Sequence, residues 1–136
     1  MRELTAKIAE MDQEHVVLDM EAGVEHLSRG TTRNTDVLLV IAEPYYKSLE
    51  TAARVARLGQ ELAIPGVYTI TNKVRDADKT SLNKFIFDRS LDVVCEIGHD
   101  EEVAEADRLG IAPIDHDDKG ILVTAIESLA NRLFPA

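Results

Sequence analysis

Tryptophan is absent from the 136 residues, and aromatic side chains of every kind make up only 4% of them. A core built from this chain is therefore aliphatic, made of Val, Ile, Leu and Ala. The single cysteine, Cys95, leaves no internal disulfide to form, which fits a reducing cytoplasm. It lies in the apolar run Leu91-Asp92-Val93-Val94-Cys95, the setting of a buried, inert thiol rather than a nucleophile. Basic residues are scarce, with 15 Lys and Arg against 25 Asp and Glu, a formal charge of −10. Nucleic acid and anionic membrane surfaces are thereby excluded as partners, since both are held by clustered Lys and Arg. Long apolar runs are missing too. Val37 to Ala42, the longest strongly apolar run, is far too short to cross a bilayer. Met1-Arg2-Glu3 leads into a charged helical pattern rather than a signal peptide. His15, His26, His99 and His116 show no H-x-x-x-H spacing, which speaks against structural zinc. The acidic run Asp115-His116-Asp117-Asp118 reads as a loop capping the final helix.

What is present is a regular alternation of apolar runs and amphipathic helix patterns. Leu4, Ile8 and Met11 predict a short first helix, followed by a strand from His15 to Asp19. Val37 to Ala42 is apolar without alternation, as a strand covered on both faces of a parallel sheet is. Ser48 is placed to cap a helix whose Leu49, Ala52, Ala53, Ala56 and Leu62 form an inward stripe, stopped by Pro65-Gly66. A strand over Val67 to Asn72 follows, then a helix capped by Thr80 or Ser81 that points Leu82, Phe85 and Ile86 inward. Asp92 to Ile97 is the next strand. Asp100 caps Glu101 to Leu109, with acids in the first turn and Gly110 just past the end. Lys119 to Phe134 is the last helix, with Leu122, Ala125, Ile126, Leu129 and Leu133 at helical spacing. Repeated strand–helix units predict an α/β fold of three layers (α/β/α) around a mainly parallel sheet. Ligands on such sheets bind beyond the carboxyl ends of the strands. The places to search are therefore Asp19 to Gly23, Glu43 to Ser48, Asn72 to Arg75 and Gly98 to Glu101.

At the end of Val16-Val17-Leu18, the carboxylate of Asp19 stands where a Mg²⁺ ion is held opposite phosphates, and Gly23 lets backbone approach a terminal phosphate. Asn72-Lys73 follows a strand, where nucleotide-binding sheets recognise the base. The guanine-reading Asn-Lys-x-Asp pattern fails, because the fourth residue is Arg75 and Asp76 comes one late. Guanine is unsupported and adenine stays open. The phosphate cradle G-x-x-x-x-G-K-[ST] is missing: the glycines at 23, 30, 59, 66, 98, 110 and 120 never fall in that frame.

Taken together, Asp19-Met20-Glu21-Ala22-Gly23-Val24-Glu25-His26-Leu27-Ser28-Arg29-Gly30 resembles the segment after the Walker B strand of CooC-type ATPases. These assist nickel insertion into carbon monoxide dehydrogenase and fall in the MinD/ParA and nitrogenase iron protein class of P-loop proteins. The resemblance continues through Asp36 to Val40, Glu43-Pro44, Ser48-Leu49, Val67 to Val74, and Asp100 to Asp107 with Gly110. It implies a P-loop-NTPase-like, Rossmann-like partial fold, with residues 1–136 as one domain matching the C-terminal half of such an ATPase. By the same resemblance Asp19 is the Mg²⁺-organising aspartate, and Glu21 to Gly23 the segment that senses the terminal phosphate. Asn72 is the adenine contact with Lys73 beside it, and the loop Gly98 to Glu101, with Asp100, lies near the base. Mg-ATP or Mg-ADP is the implied cofactor, bound weakly or not at all without a P-loop.

The departures are a missing P-loop, a missing second lysine and a missing Cys-x-Cys pair, for which Cys95 is no substitute; MinD relatives more often carry Pro where Glu21 stands. A domain related to metallocentre maturation, inactive alone, is the expectation. The alternatives are a non-enzymatic interaction or regulatory module, and half of a split ATPase completed by a P-loop-bearing partner. Loss of the P-loop strand would leave Val16–Leu18 and Val37–Ala42 as unpaired edges, to be closed on each other or in a homodimer.

Overall fold

The computed structural model of the chain describes residues 15–20 and 35–134. The predicted first helix, with Leu4, Ile8 and Met11, lies outside the described residues, as do Glu21 and Gly23. Among the described residues three strands form one parallel sheet in the order β1-β2-β3: β1 Val37–Ala42, β2 Gly66–Val74 and β3 Val93–Gly98. Between them run α1 (Tyr46–Glu61) and α2 (Lys79–Arg89), the latter entered through a 3₁₀ turn at Asp76–Asp78. After β3 come α3 (Glu101–Leu109), the short α4 (Pro113–His116) and α5 (Ile121–Leu133).

Strand parity distributes the core between the two faces. Leu38, Val40 and Ala42 of β1 pack with Leu49, Ala52 and Ala56 of α1 and Leu82 of α2. Ile70 of β2 and Ile97 of β3 point the other way and meet Leu129 of α5. The sheet thus has α1 and α2 on one side and α5 on the other, the predicted three-layer arrangement. α5 runs antiparallel to β3. Gly98 at the end of β3 lies near Ile121, and Arg132 near the helix end donates from Nη1 to the Val94 carbonyl at 3.1 Å.

Helix ends obey local chemistry. α1, α2 and α3 each close with a residue of positive φ, namely Ala63 (57°), Ser90 (52°) and Gly110 (70°). In each case the next N–H reaches back to the last turn: Ile64 to Gly59, Leu91 to Ile86 and Ile111 to Ala106. α1 approaches the sheet at Gly59, where a Cβ would sit 2.8 Å from Leu38 Cδ2 and 3.2 Å from Val67 Cγ2. The small residue sets how near the helix lies.

Several expectations are corrected. Residues 15–20 form neither strand nor helix, and Val16, Val17 and Leu18 are 47%, 85% and 41% exposed. A strand exists only with a ladder partner, and the one partner of β1 among the described residues is β2. The two apolar segments therefore do not close on each other. Ser48 is not the cap of α1. The helix starts at Tyr46 with Tyr45 as N-cap, and Ser48 Oγ instead accepts from the Glu43 N–H at 3.0 Å. Thr80 and Ser81 fall inside α2, since the preceding 3₁₀ turn carries the chain into the helix earlier, with Asp78 as the N-cap. In α5 Val123 is buried while Ile126 is 45% exposed. Among the described residues no helix is long and apolar enough to cross a membrane.

Candidate functional site

The carboxyl ends of the three strands bring together the turn after β1, the end of β2 and the loop after β3. β2 does not leave the sheet straight. Thr71 pairs with Glu96 and Val74 with Gly98, so β2 holds one more residue than β3 across this interval. The extra residue is accommodated by Lys73 at φ 57°, a left-handed conformation that costs a lysine about 1 kcal/mol. The bulge also resets parity. Val67 and Val74 both pack in the α1–α2 core although seven positions separate them. Beyond it the ladder resumes, with the His99 N–H donating to the Val74 carbonyl at 2.9 Å.

Two contacts hold the bulge. Asn72 Oδ1 accepts from the Lys73 N–H at 2.9 Å, and Lys73 Nζ meets Glu43 Oε1 at 2.6 Å. The hydrogen bond and charge of Glu43 raise the Lys73 ammonium pKa above its ordinary value. Its stabilising contribution is full below the ordinary lysine value and fades as pH rises through the raised one. The pair joins the carboxyl ends of β1 and β2. Thr71, one residue before the bulge, is fully buried, and its hydroxyl has no hydrogen-bond partner among the described residues. Tyr45, 59% exposed, lies in the same turn as Glu43 and adds to the upward pull on Lys73. Lys73→Gly removes the left-handed strain along with an exposed ion pair of small worth, so its unfolding free energy should stay within about 1 kcal/mol of the parent. Lys73→Val, β-branched in the same conformation, should lose about 2 kcal/mol, read by urea titration.

Asp100 is occupied differently. Its Oδ1 accepts from the Glu102 N–H of α3 at 3.1 Å, as the sequence predicts, and its Oδ2 accepts from the Leu122 N–H of α5 at 3.4 Å. The N-cap of α5 is Gly120, which has no side chain to offer. A Cβ there would stand 3.5 Å from Asp100 Oδ2 and 3.2 Å from Asp117 Oδ2. One carboxylate thus serves two helix N-termini, both of which favour negative charge. His116 of α4 is tied to Glu102 of α3 at 3.0 Å, closing the same corner.

Asn72, Lys73 and Asp100 therefore share the carboxyl rim. Asp19 is exposed in the irregular segment 15–20, and no hydrogen bond or ion pair joins it to the rim. That segment is anchored at its other end, where the His15 ring lies 4.2 Å from Phe134 just past α5. Among the described residues no group of three or more His, Cys, Asp or Glu could hold a metal ion. Cys95 is half-buried, its thiol pKa pushed up by burial, in keeping with an inert group. Sequence reasoning missed the Glu43–Lys73 pair, because 30 residues separate the partners and neither carries a local signal of the other.

No family model matches the chain. It is 40% identical over 120 residues to an ATP-binding protein of Methanocaldococcus jannaschii, covering 88% of this chain and 46% of that protein. A second ATP-binding protein of the same organism is 31% identical over 135 residues, 98% of this chain and 53% of the relative. The carbon monoxide dehydrogenase accessory protein CooC of Rhodospirillum rubrum is 35% identical over 117 residues, 85% of this chain and 43% of CooC. The chain is a homologue of CooC and of these ATP-binding proteins. It spans about half the length of the curated relatives it matches. The fold agrees. MinD of Aquifex aeolicus superposes with a TM-score of 0.67 at 19% identity, over 84% of this chain and 50% of MinD. A ParA family ATPase from Chlorobium tepidum TLS gives 0.64 at 21% identity, over 82% and 47%. The CooC relationship thus rests on sequence, and the MinD/ParA likeness on fold.

Proposed function

We propose that this CooC homologue is a nucleotide-binding-type domain that serves metallocentre maturation, with nickel insertion into a carbon monoxide dehydrogenase as the process, and that alone it hydrolyses no ATP. The observation that carries the reading is the 40% identity to an ATP-binding protein across 88% of the chain. The 35% identity to CooC supplies the link to carbon monoxide dehydrogenase. In this reading the chain is a single domain equivalent to the C-terminal half of such an ATPase, working in the cytoplasm. The rim fits the base end of a nucleotide. Lys73 is exposed beside Asn72, and the Asn72 amide nitrogen has no protein partner among the described residues, leaving it free to donate to an adenine ring. Asp19, Glu21 and Gly23 would serve the phosphate end. The Asp100 carboxylate, held by two helix ends, would act by shaping the loop rather than by direct contact.

The expectation of no hydrolysis draws its support from what this sequence lacks. A bound nucleotide would bring a phosphoryl group whose transfer needs converging backbone amides and a lysine to offset developing charge. The sequence contains no G-x-x-x-x-G-K-[ST] stretch to provide them. Phosphate release from Mg-ATP by the pure chain should therefore equal buffer alone, and calorimetry should show binding no tighter than about 1 mM. Turnover that disappears in Asp19→Ala would overturn the proposal. A second reading, half of a split ATPase completed by a P-loop-bearing partner, draws support from the edge of β1 that has no strand partner among the described residues. A homodimer or a non-enzymatic docking module would use the same edge.

A further inference from the structure

Among the described residues Lys73 is the one residue inside a strand that holds a positive φ. The other two non-glycine cases, Ala63 and Ser90, close helices, where a left-handed residue lets the last carbonyls be satisfied. A left-handed lysine within a strand closes nothing of the kind. Such a conformation persists only where its surroundings fix it, and strain of this sort gathers at functional sites. Glycine would adopt it freely, whereas lysine adds an arm that spans to the turn of the neighbouring strand. Packing does not fix that arm, because the Lys73 side chain is 56% exposed. Glu43 fixes it instead, with Oε1 accepting from Lys73 Nζ at 2.6 Å.

Glu43 is itself held by the turn into α1. Its N–H donates to Ser48 Oγ at 3.0 Å, and its carbonyl accepts from the Tyr45 N–H at 2.8 Å. Pro44 follows it, which disfavours helical backbone at Glu43. The carboxylate thus leaves a fixed backbone on β1 and reaches a lysine on β2. At the other end of that lysine, the Lys73 N–H donates to Asn72 Oδ1 at 2.9 Å. Only the oxygen of a carboxamide accepts from an N–H, so the contact decides which way round the Asn72 amide sits. Its nitrogen is left to donate elsewhere. Relaxation of Lys73 to extended backbone turns the 72–73 peptide plane and carries that N–H away from Asn72 Oδ1. Exposed ion pairs add little to folding stability. Orienting one carboxamide asks for less, since a preference of about fivefold already decides which atom Asn72 presents.

We infer that Glu43 is a positioning residue for Asn72: by holding Lys73 it keeps the carboxamide oxygen engaged and the carboxamide nitrogen free to donate. The inference rests on the nucleotide reading for what Asn72 would bind, and on geometry alone for how Asn72 is held. NMR of the isotope-labelled 136-residue chain reads the Lys73 amide and the Asn72 side-chain NH₂ pair directly. In Glu43→Ala the Lys73 amide should exchange with solvent about fivefold faster or more, and the Asn72 NH₂ pair should move toward its unstructured position. Glu43→Gln keeps an oxygen for Lys73 Nζ and should retain at least about half of the protection. The melting temperature of both variants should stay within about 3 °C of the parent. Unmoved Lys73 and Asn72 signals in Glu43→Ala overturn the inference, as does a Glu43→Gln variant no better than Glu43→Ala. Exchange that rises equally along all of β1 and β2 overturns it too, because Glu43 would then be a general support of the sheet. A second arm adds adenosine at about 10 mM, which should shift the Asn72 NH₂ pair of the parent more than that of Glu43→Ala. An equal response in the two proteins counts against the role of Glu43. No response in the parent sinks the nucleotide reading, while the comparison without adenosine judges Glu43 by itself.

Discussion

Replacing Leu82 with alanine is expected to destabilise the chain by about 3 kcal/mol, which lowers the melting midpoint by roughly 10 °C for a protein of this size. Leu82 is the anchor of α2. It is 1% exposed and belongs to the cluster of Val40, Ala42, Leu49, Ala52, Ala56 and Val74 that joins both helices to the sheet. Its neighbours on α2, Phe85 and Ile86, are only half-buried and cannot move in to fill the space without leaving their own contacts. The lost transfer energy and the cavity then add. Phe87 on the same helix is 84% exposed, so Phe87→Ala should change stability by no more than about 0.5 kcal/mol. Thermal melting of both variants checks the contrast. Equal losses would mean that α2 is not docked as described.

Asp100→Ala is expected to cost about 2 kcal/mol, the sum of two helix caps lost at once. Both α3 and α5 would begin with an unmet N–H, at Glu102 and at Leu122, and Gly120 has no side chain with which to compensate. Asp100→Asn keeps one oxygen acceptor and should recover about half of the loss. Urea titration distinguishes this role from a pure ligand contact, for which substitution would leave the isolated chain's stability unchanged. The outcome bears on the site directly. A residue that closes two helices shapes the loop after β3 whether or not a nucleotide is present.

The sequence alone decided the elements and much of their order. The apolar runs at Val37–Ala42, Val67–Asn72 and Asp92–Ile97 became β1, β2 and β3 with ends shifted by a residue or two. Asp100 and Gly110 bracketed α3 as capping chemistry requires. These features are local: a period, a cap, or a residue that tolerates positive φ. Kinship with CooC was legible for the same reason, because it lay in contiguous runs of residues. The strand expected at His15–Asp19 shows where such reasoning stops. Val16, Val17 and Leu18 have a strand's composition, but a strand is a property of two segments, and no described neighbour pairs with them. The Lys73 bulge, its ion pair with Glu43 and the second cap made by Asp100 likewise depend on groups far apart in sequence. Only the folded sheet brings those groups within hydrogen-bonding distance, and only its covering by α1 and α5 decides that Val40 and Ala42 are buried while Leu39 and Ile41 on the same strand are not.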